Sequence, residues 1–84
     1  MYAVYIIQSK TTKKIYIGFT NNLKRRLFEH NSNKSFSTKN RGPWVLIFCE
    51  IYRSYTDAKQ REERLKYYGK ALGQLKRRIS KSLL

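Results

Sequence analysis

Eighty-four residues carrying 19 Lys and Arg against 5 Asp and Glu, a net charge of +14, are room for one small domain with one hydrophobic core, and they exclude a multidomain enzyme. A charge that one-sided exceeds what solubility asks of a short chain and points to a polyanionic partner, DNA first and RNA as an alternative, with affinity that falls steeply with salt. No apolar run reaches membrane-spanning length, no signal peptide opens the chain and the single cysteine, Cys49, excludes an internal disulfide or a thiolate zinc cluster, so a cytoplasmic location and no membrane partner are expected.

Tyr2 to Gln8 is apolar at almost every position and reads as a buried strand. Ser9 to Lys14 is a basic turn, and Ile15 to Phe19 is a second strand close enough to pair with the first as an antiparallel hairpin. Tyr5 and Tyr16 then meet on one face. Gly18 is expected to close the second strand at a point where another group approaches closely, a structural role. Asn21 or Asn22 caps a helix that runs to about His30 or Asn31, with Leu23 and Leu27 as its buried stripe and Arg25 paired with Glu29 on the outside. Arg26 and His30, four apart, share the face that flanks this stripe.

Ser32 to Gly42 (SNKSFSTKNRG) is a polar, basic loop with Phe36 available to stack on a base. Pro43 introduces Trp44 to Tyr52, the most continuous apolar run, expected to be the strand with most of its surface buried and to hold Cys49 as inert core. Thr56 or Asp57 caps a helix that runs to about Tyr68, on which Ala58, Glu62 and Leu65 project to one side. Glu62 is therefore a carboxylate on an apolar face, which requires either an ion pair, with Arg26 or a nearby lysine, or a bound cation. Gly69 and Gly73 separate this helix from a basic last one, Leu72 to about Ser82. The fold class is α/β (α+β): a three-stranded, mainly antiparallel sheet flanked by helices in the order β-β-α-β-α-α.

The set formed by Tyr5, Tyr16-Ile17-Gly18, Arg26, His30 and the Glu62 segment, Ala58 to Lys66, resembles the GIY-YIG nucleases, in particular the small stand-alone members related to the nuclease domain of the excision-repair C subunit. The first motif is Ala-Val-Tyr where the pattern has Gly-Ile-Tyr, and the late Asn or Lys of the pattern is left open among Lys66, Lys70 and Gln74. The resemblance implies one nuclease domain over residues 1–84, an endonuclease that hydrolyses DNA with weak sequence preference, and a role in DNA repair on branched, nicked or single-stranded substrates. It further implies that Glu62 holds one Mg²⁺ or Mn²⁺, that Arg26 clamps the scissile phosphate, and that Tyr5, Tyr16 and His30 manage the water and its proton, with Tyr5 as base. Lys10, Lys13, Lys14, Lys24, Arg25, Lys34, Lys39 and Arg41 are the expected nucleic-acid contacts. The competing reading is a non-catalytic basic DNA- or RNA-binding module of the same fold, and a protein partner that supplies specificity is compatible with either.

Overall fold

The computed structural model describes residues 1–84. Strands β1 (Tyr2–Ser9) and β2 (Ile15–Thr20) form the hairpin, followed by helix α1 (Leu23–Asn31), a 3₁₀ turn (Phe36–Thr38), strand β3 (Trp44–Tyr52) and helices α2 (Tyr55–Tyr67) and α3 (Gly69–Arg78). The sheet is antiparallel throughout, in the order β2-β1-β3. No helix is long and apolar enough to cross a membrane.

That strand order corrects the expectation for Trp44 to Tyr52. With a neighbour on each side, β1 is the strand buried from Ala3 to Ser9, whereas β3 lies at an edge and only Trp44 is fully buried in it. Cys49 is exposed rather than part of the core. Apolar content alone does not distinguish a central strand from an edge strand.

Alternation along β1 divides the interior into two layers. Val4 and Ile6 face α2 and α3, where they pack with Ile17, Ala58, Leu65 and Leu75. Tyr5 and Ile7 face α1, against Trp44, Leu23 and Leu27. Each fully buried aliphatic side chain contributes about 1.5–3 kcal/mol, so the first layer is the principal source of stability. The second layer is thinner and partly polar, and it contains the tyrosines. Between Ile6 and Ile7 the β1–β3 register shifts by one residue and leaves Ile47 unpaired, which lets Ile47 and Phe48 both pack on the α2 side.

The helix ends depart from expectation in two places. Ser54, not Thr56 or Asp57, caps α2, its hydroxyl accepting from the Asp57 amide at 3.1 Å. The last helix begins at Gly69 and ends at Arg78, with Gly73 inside it. Asn22 caps α1 as expected, accepting from the Arg25 amide at 3.1 Å. At the other end of α1 the Lys34 amide reaches back to the Glu29 carbonyl and Asn33 takes a left-handed conformation (φ 59°). These are the marks of a Schellman stop.

Candidate active site

Residue spacing brings the two tyrosines together. Tyr5 pairs with Gly18 and Ile7 with Tyr16, so both phenols stand on the α1 side of the sheet, diagonal to one another. Their ring centres lie 6.5 Å apart, and the His30 ring completes a triangle at 5.8 Å from Tyr5 and 5.1 Å from Tyr16. Gly18 does not close β2, which continues to Thr20. It serves as a passage, since a Cβ there would overlap the ring and hydroxyl of Tyr5. The absence of a side chain is what lets Tyr5 cross its neighbouring strand to reach α1.

His30, expected to flank the buried stripe, is instead wholly buried. The 3₁₀ turn folds over it, and Thr38 Oγ1 stands 2.7 Å from Nδ1 while Tyr5 Oη stands 2.8 Å from Nε2. A neutral imidazole donates through one nitrogen and accepts through the other. With the proton on Nδ1, donated to Thr38, the Nε2 lone pair is available to Tyr5. Burial first, and the Arg26 charge second, hold the His30 pKa down at about 4. Burial first, and the neighbouring Tyr16 second, push Tyr5 up to about 12 against the opposing pull of Arg26. At neutral pH both groups are therefore uncharged.

The depressed His30 pKa couples stability to pH. As pH falls below 6.5 the unfolded chain takes up a proton that folded His30 refuses, so stability declines between pH 6.5 and 4 by on the order of 3 kcal/mol. Denaturant midpoints should be level from pH 7 to 8 and fall steadily below 6.5, and His30→Gln should remove most of that slope. An unchanged slope in the variant would show that His30 is not the titrating group.

Arg26 pairs with Glu29 at 3.0 Å, in place of the expected Arg25. Three residues apart brings the two onto one face as well as four does, and Ser35 Oγ settles the choice by accepting from Arg26 Nη2 at 3.3 Å. Burial opposes the Arg26 charge, but Glu29 together with the two phenols more than offsets it and raises the pKa above the usual guanidinium value. The guanidinium thus stays charged beside the tyrosines.

Glu62 is 5% exposed. Its two oxygens accept from Lys59 Nζ at 3.0 Å and Lys66 Nζ at 3.2 Å, so its partners are lysines of its own helix and not Arg26. The Lys66 ammonium also lies 5.8 Å from the centre of the Tyr16 ring, and the Glu62 charge is felt at Tyr5. Lys66 therefore links the Glu62 carboxylate to the Tyr16 ring. Of the three residues left open for the late motif position, only Lys66 reaches this cluster. Lys70 and Gln74 line a hollow between α2 and α3.

The eight expected nucleic-acid contacts are all exposed. Lys10, Lys13 and Lys14 in the hairpin turn adjoin Lys39 and Arg41 in the loop, because Ser9 Oγ donates to the Arg41 carbonyl at 2.6 Å and the Lys10 amide to the Pro43 carbonyl at 2.9 Å. Lys34 lies on the same loop, its ammonium 5.5 Å from the Phe28 ring centre. Lys24 and Arg25 stand at the opposite end of α1. Phe36 projects at 95% exposure. Sequence reasoning misses Ser35 and Thr38, whose hydroxyls hold Arg26 and His30. A polar loop without periodicity gives no sign of which hydroxyls turn inward.

Residues 1–68 match the family model of the GIY-YIG catalytic domain. The chain is 35% identical over 68 residues to a UPF0213 protein of Staphylococcus haemolyticus, covering 80% of this chain and 82% of that one, and 37% identical over 70 residues to a UPF0213 protein of Clostridium perfringens, covering 82% and 70%. The solution NMR structure of the UPF0213 protein BH0048 from Bacillus halodurans superposes with a TM-score of 0.55 at 30% identity, covering 90% of this chain and 86% of that chain. A shorter match, 31% identical over 51 residues, joins 56% of this chain to 18% of the human structure-specific endonuclease subunit SLX1. Since the matched span contains both tyrosines, Arg26, His30 and Glu62, the chain belongs to the GIY-YIG family of catalytic domains, which it shares with named endonuclease subunits.

Proposed function

We propose that the chain is a DNA endonuclease, dependent on one Mg²⁺ or Mn²⁺ and weak in intrinsic sequence preference, that hydrolyses phosphodiester bonds at the cluster of Tyr5, Tyr16, Arg26, His30 and Glu62. The observation that carries the reading is the clustering of two phenols, an imidazole and a charged guanidinium drawn from β1, β2 and α1, with the Glu62–Lys66 pair of α2 reaching the Tyr16 ring.

The donor set suits a hard cation. No group of three or more His, Cys, Asp or Glu gathers anywhere in the chain, but a magnesium-like ion needs only one or two carboxylates and completes its shell with waters and substrate phosphate. Glu62 would hold it, after the part-exposed ammoniums of Lys59 and Lys66 release the carboxylate oxygens. When bound, the ion would supply positive charge to the phosphoryl oxygens and lower the pKa of the attacking water.

The chain's own residues divide the remaining work. Arg26 offers its planar fork to the non-bridging oxygens of the phosphate, where charge develops during attack. Tyr5, itself buried, would act as the base after handing its own proton to His30 Nε2, 2.8 Å from its hydroxyl, with Thr38 fixing the tautomer. With the phenol pushed up to about 12 and the imidazole held down at about 4, that transfer is strongly uphill in the free protein. The relay is therefore idle in the free protein. Tyr16, half-buried, stands between the relay and the carboxylate.

One observation favours the non-catalytic module instead: Lys59 and Lys66 already occupy both Glu62 oxygens. Supercoiled plasmid incubated with the purified protein decides between the two. Nicked product that appears with Mg²⁺ or Mn²⁺ and disappears with EDTA is the expected result. Salt-sensitive binding with intact plasmid in both metals would favour the module.

A further inference from the structure

The flank of α2 turned away from the tyrosines carries a second concentration of charge. At about 100° per residue, Lys59 and Lys66 lie within about 60° of Glu62 on one side of α2, whereas Arg61 and Arg64 stand about 100° and 160° away on the other. There α2 and α3 bound a cleft of about 620 Å³ lined by Arg61, Arg64, Gln74, Arg77 and Arg78, with Leu75 at its base. Arg61 is paired with Glu50 at 2.9 Å, but Arg64, Arg77 and Arg78 are exposed and have no ion-pair partner. With Asp57, beside Arg61 and Arg64 in an adjoining hollow, and Glu50 on Arg61, two carboxylates stand against four guanidinium groups.

Like charges that line one cleft repel one another until an anion neutralises them, and forked guanidinium donors match phosphate oxygens two at a time. The cleft has a polar lining, which suits a backbone more than a base. We infer that it is a second phosphate-backbone site, able to take one arm of a branched nucleic acid while the tyrosine cluster addresses another; the second half of this statement rests on the nuclease reading above. The tyrosines stand on the α1 side of the sheet and the cleft on the α2–α3 side, yet the whole molecule measures only 30 × 26 × 20 Å, so the two surfaces lie within reach of one branched ligand. A straight duplex laid along one surface leaves the other empty. A fork or junction straddles α2 and engages both, and joining two weak binding events in one ligand multiplies affinity without strengthening either.

The test compares an immobile four-way DNA junction with a linear duplex of equal arm length by fluorescence anisotropy in EDTA, so that binding is read without cleavage. Wild-type protein should favour the junction by about tenfold or more. The triple variant Arg64→Gln/Arg77→Gln/Arg78→Gln, whose exposed positions leave the fold intact by circular dichroism, should bring that ratio within about twofold of unity. Its log–log salt dependence on the junction should become shallower by about 2 to 3, near 0.9 for each phosphate no longer neutralised. A ratio that the variant leaves unchanged, or a wild-type protein with no junction preference, overturns the inference. So does loss of binding to anionic phospholipid vesicles in the variant with the junction ratio intact. Arginine-dependent junction binding by a protein that cuts nothing with Mg²⁺ supports the cleft while removing the nuclease reading; cutting with an arginine-independent ratio does the reverse.

Discussion

Glu62→Gln should reduce metal-dependent DNA cleavage by about a hundredfold to a thousandfold, the scale on which one essential charge-stabilising group acts, while leaving binding in EDTA within about twofold. The amide keeps the size and shape of the side chain and an oxygen for one lysine, but not the negative charge a cation needs. Stability separates this effect from unfolding. Removing one member of a buried ion pair costs about 3–5 kcal/mol when the other is stranded without water. Here the partners left behind are Lys59 and Lys66, with side chains 42% and 33% exposed, so both ammoniums rehydrate and the fold should lose no more than about 1 kcal/mol. Cleavage by the variant within about tenfold of wild type would remove Glu62 from the site.

Gly18→Ala should have the largest effect on the fold and silence the cluster as well. The added methyl would occupy the space of the Tyr5 ring and hydroxyl. Tyr5 sits in the central strand with strands on both sides and cannot move aside as a loop residue would. Forcing extra volume into a packed site costs about 1–3 kcal/mol, which in a domain of this size lowers the melting temperature by about 5–20 °C. The ring must swing away from His30, so the 2.8 Å hydrogen bond is broken with it. Combining Gly18→Ala with Tyr5→Leu should recover part of the stability lost in Gly18→Ala alone, because the shorter side chain vacates the contested space. A single variant that melts within about 2 °C of wild type would show that the close approach of Gly18 and Tyr5 is not needed.

Much of this arrangement is legible in the chain. Helical spacing joins Arg26 to His30, the hairpin brings Tyr5 and Tyr16 to one face, and a carboxylate in an apolar stripe marks Glu62 on pattern alone. What stays hidden depends on neighbours far apart in sequence. Nothing local says that β1 is central and β3 an edge, since that follows from strand order, and so Cys49 reads as core when it is exposed. Nothing local says that Ser35 and Thr38 turn inward, so His30 reads as flanking the buried stripe when it lies beneath a loop. The α2–α3 arginines are illegible for a related reason: Arg61, Arg64, Arg77 and Arg78 read as ordinary solvated charges until two helices bring them together.

The edge position of β3 also bears on how the protein behaves at high concentration. Nine residues of this strand contain one charged side chain, Glu50, already neutralised by Arg61, so the open edge lacks the lysines that commonly discourage strand-to-strand pairing between molecules. Protection comes instead from long-range repulsion between copies that each carry +14. Such a safeguard weakens as mobile ions accumulate around the molecules, and any polyanion that neutralises the surface removes it. Colloidal stability and ligand occupancy are thereby tied to the same charge.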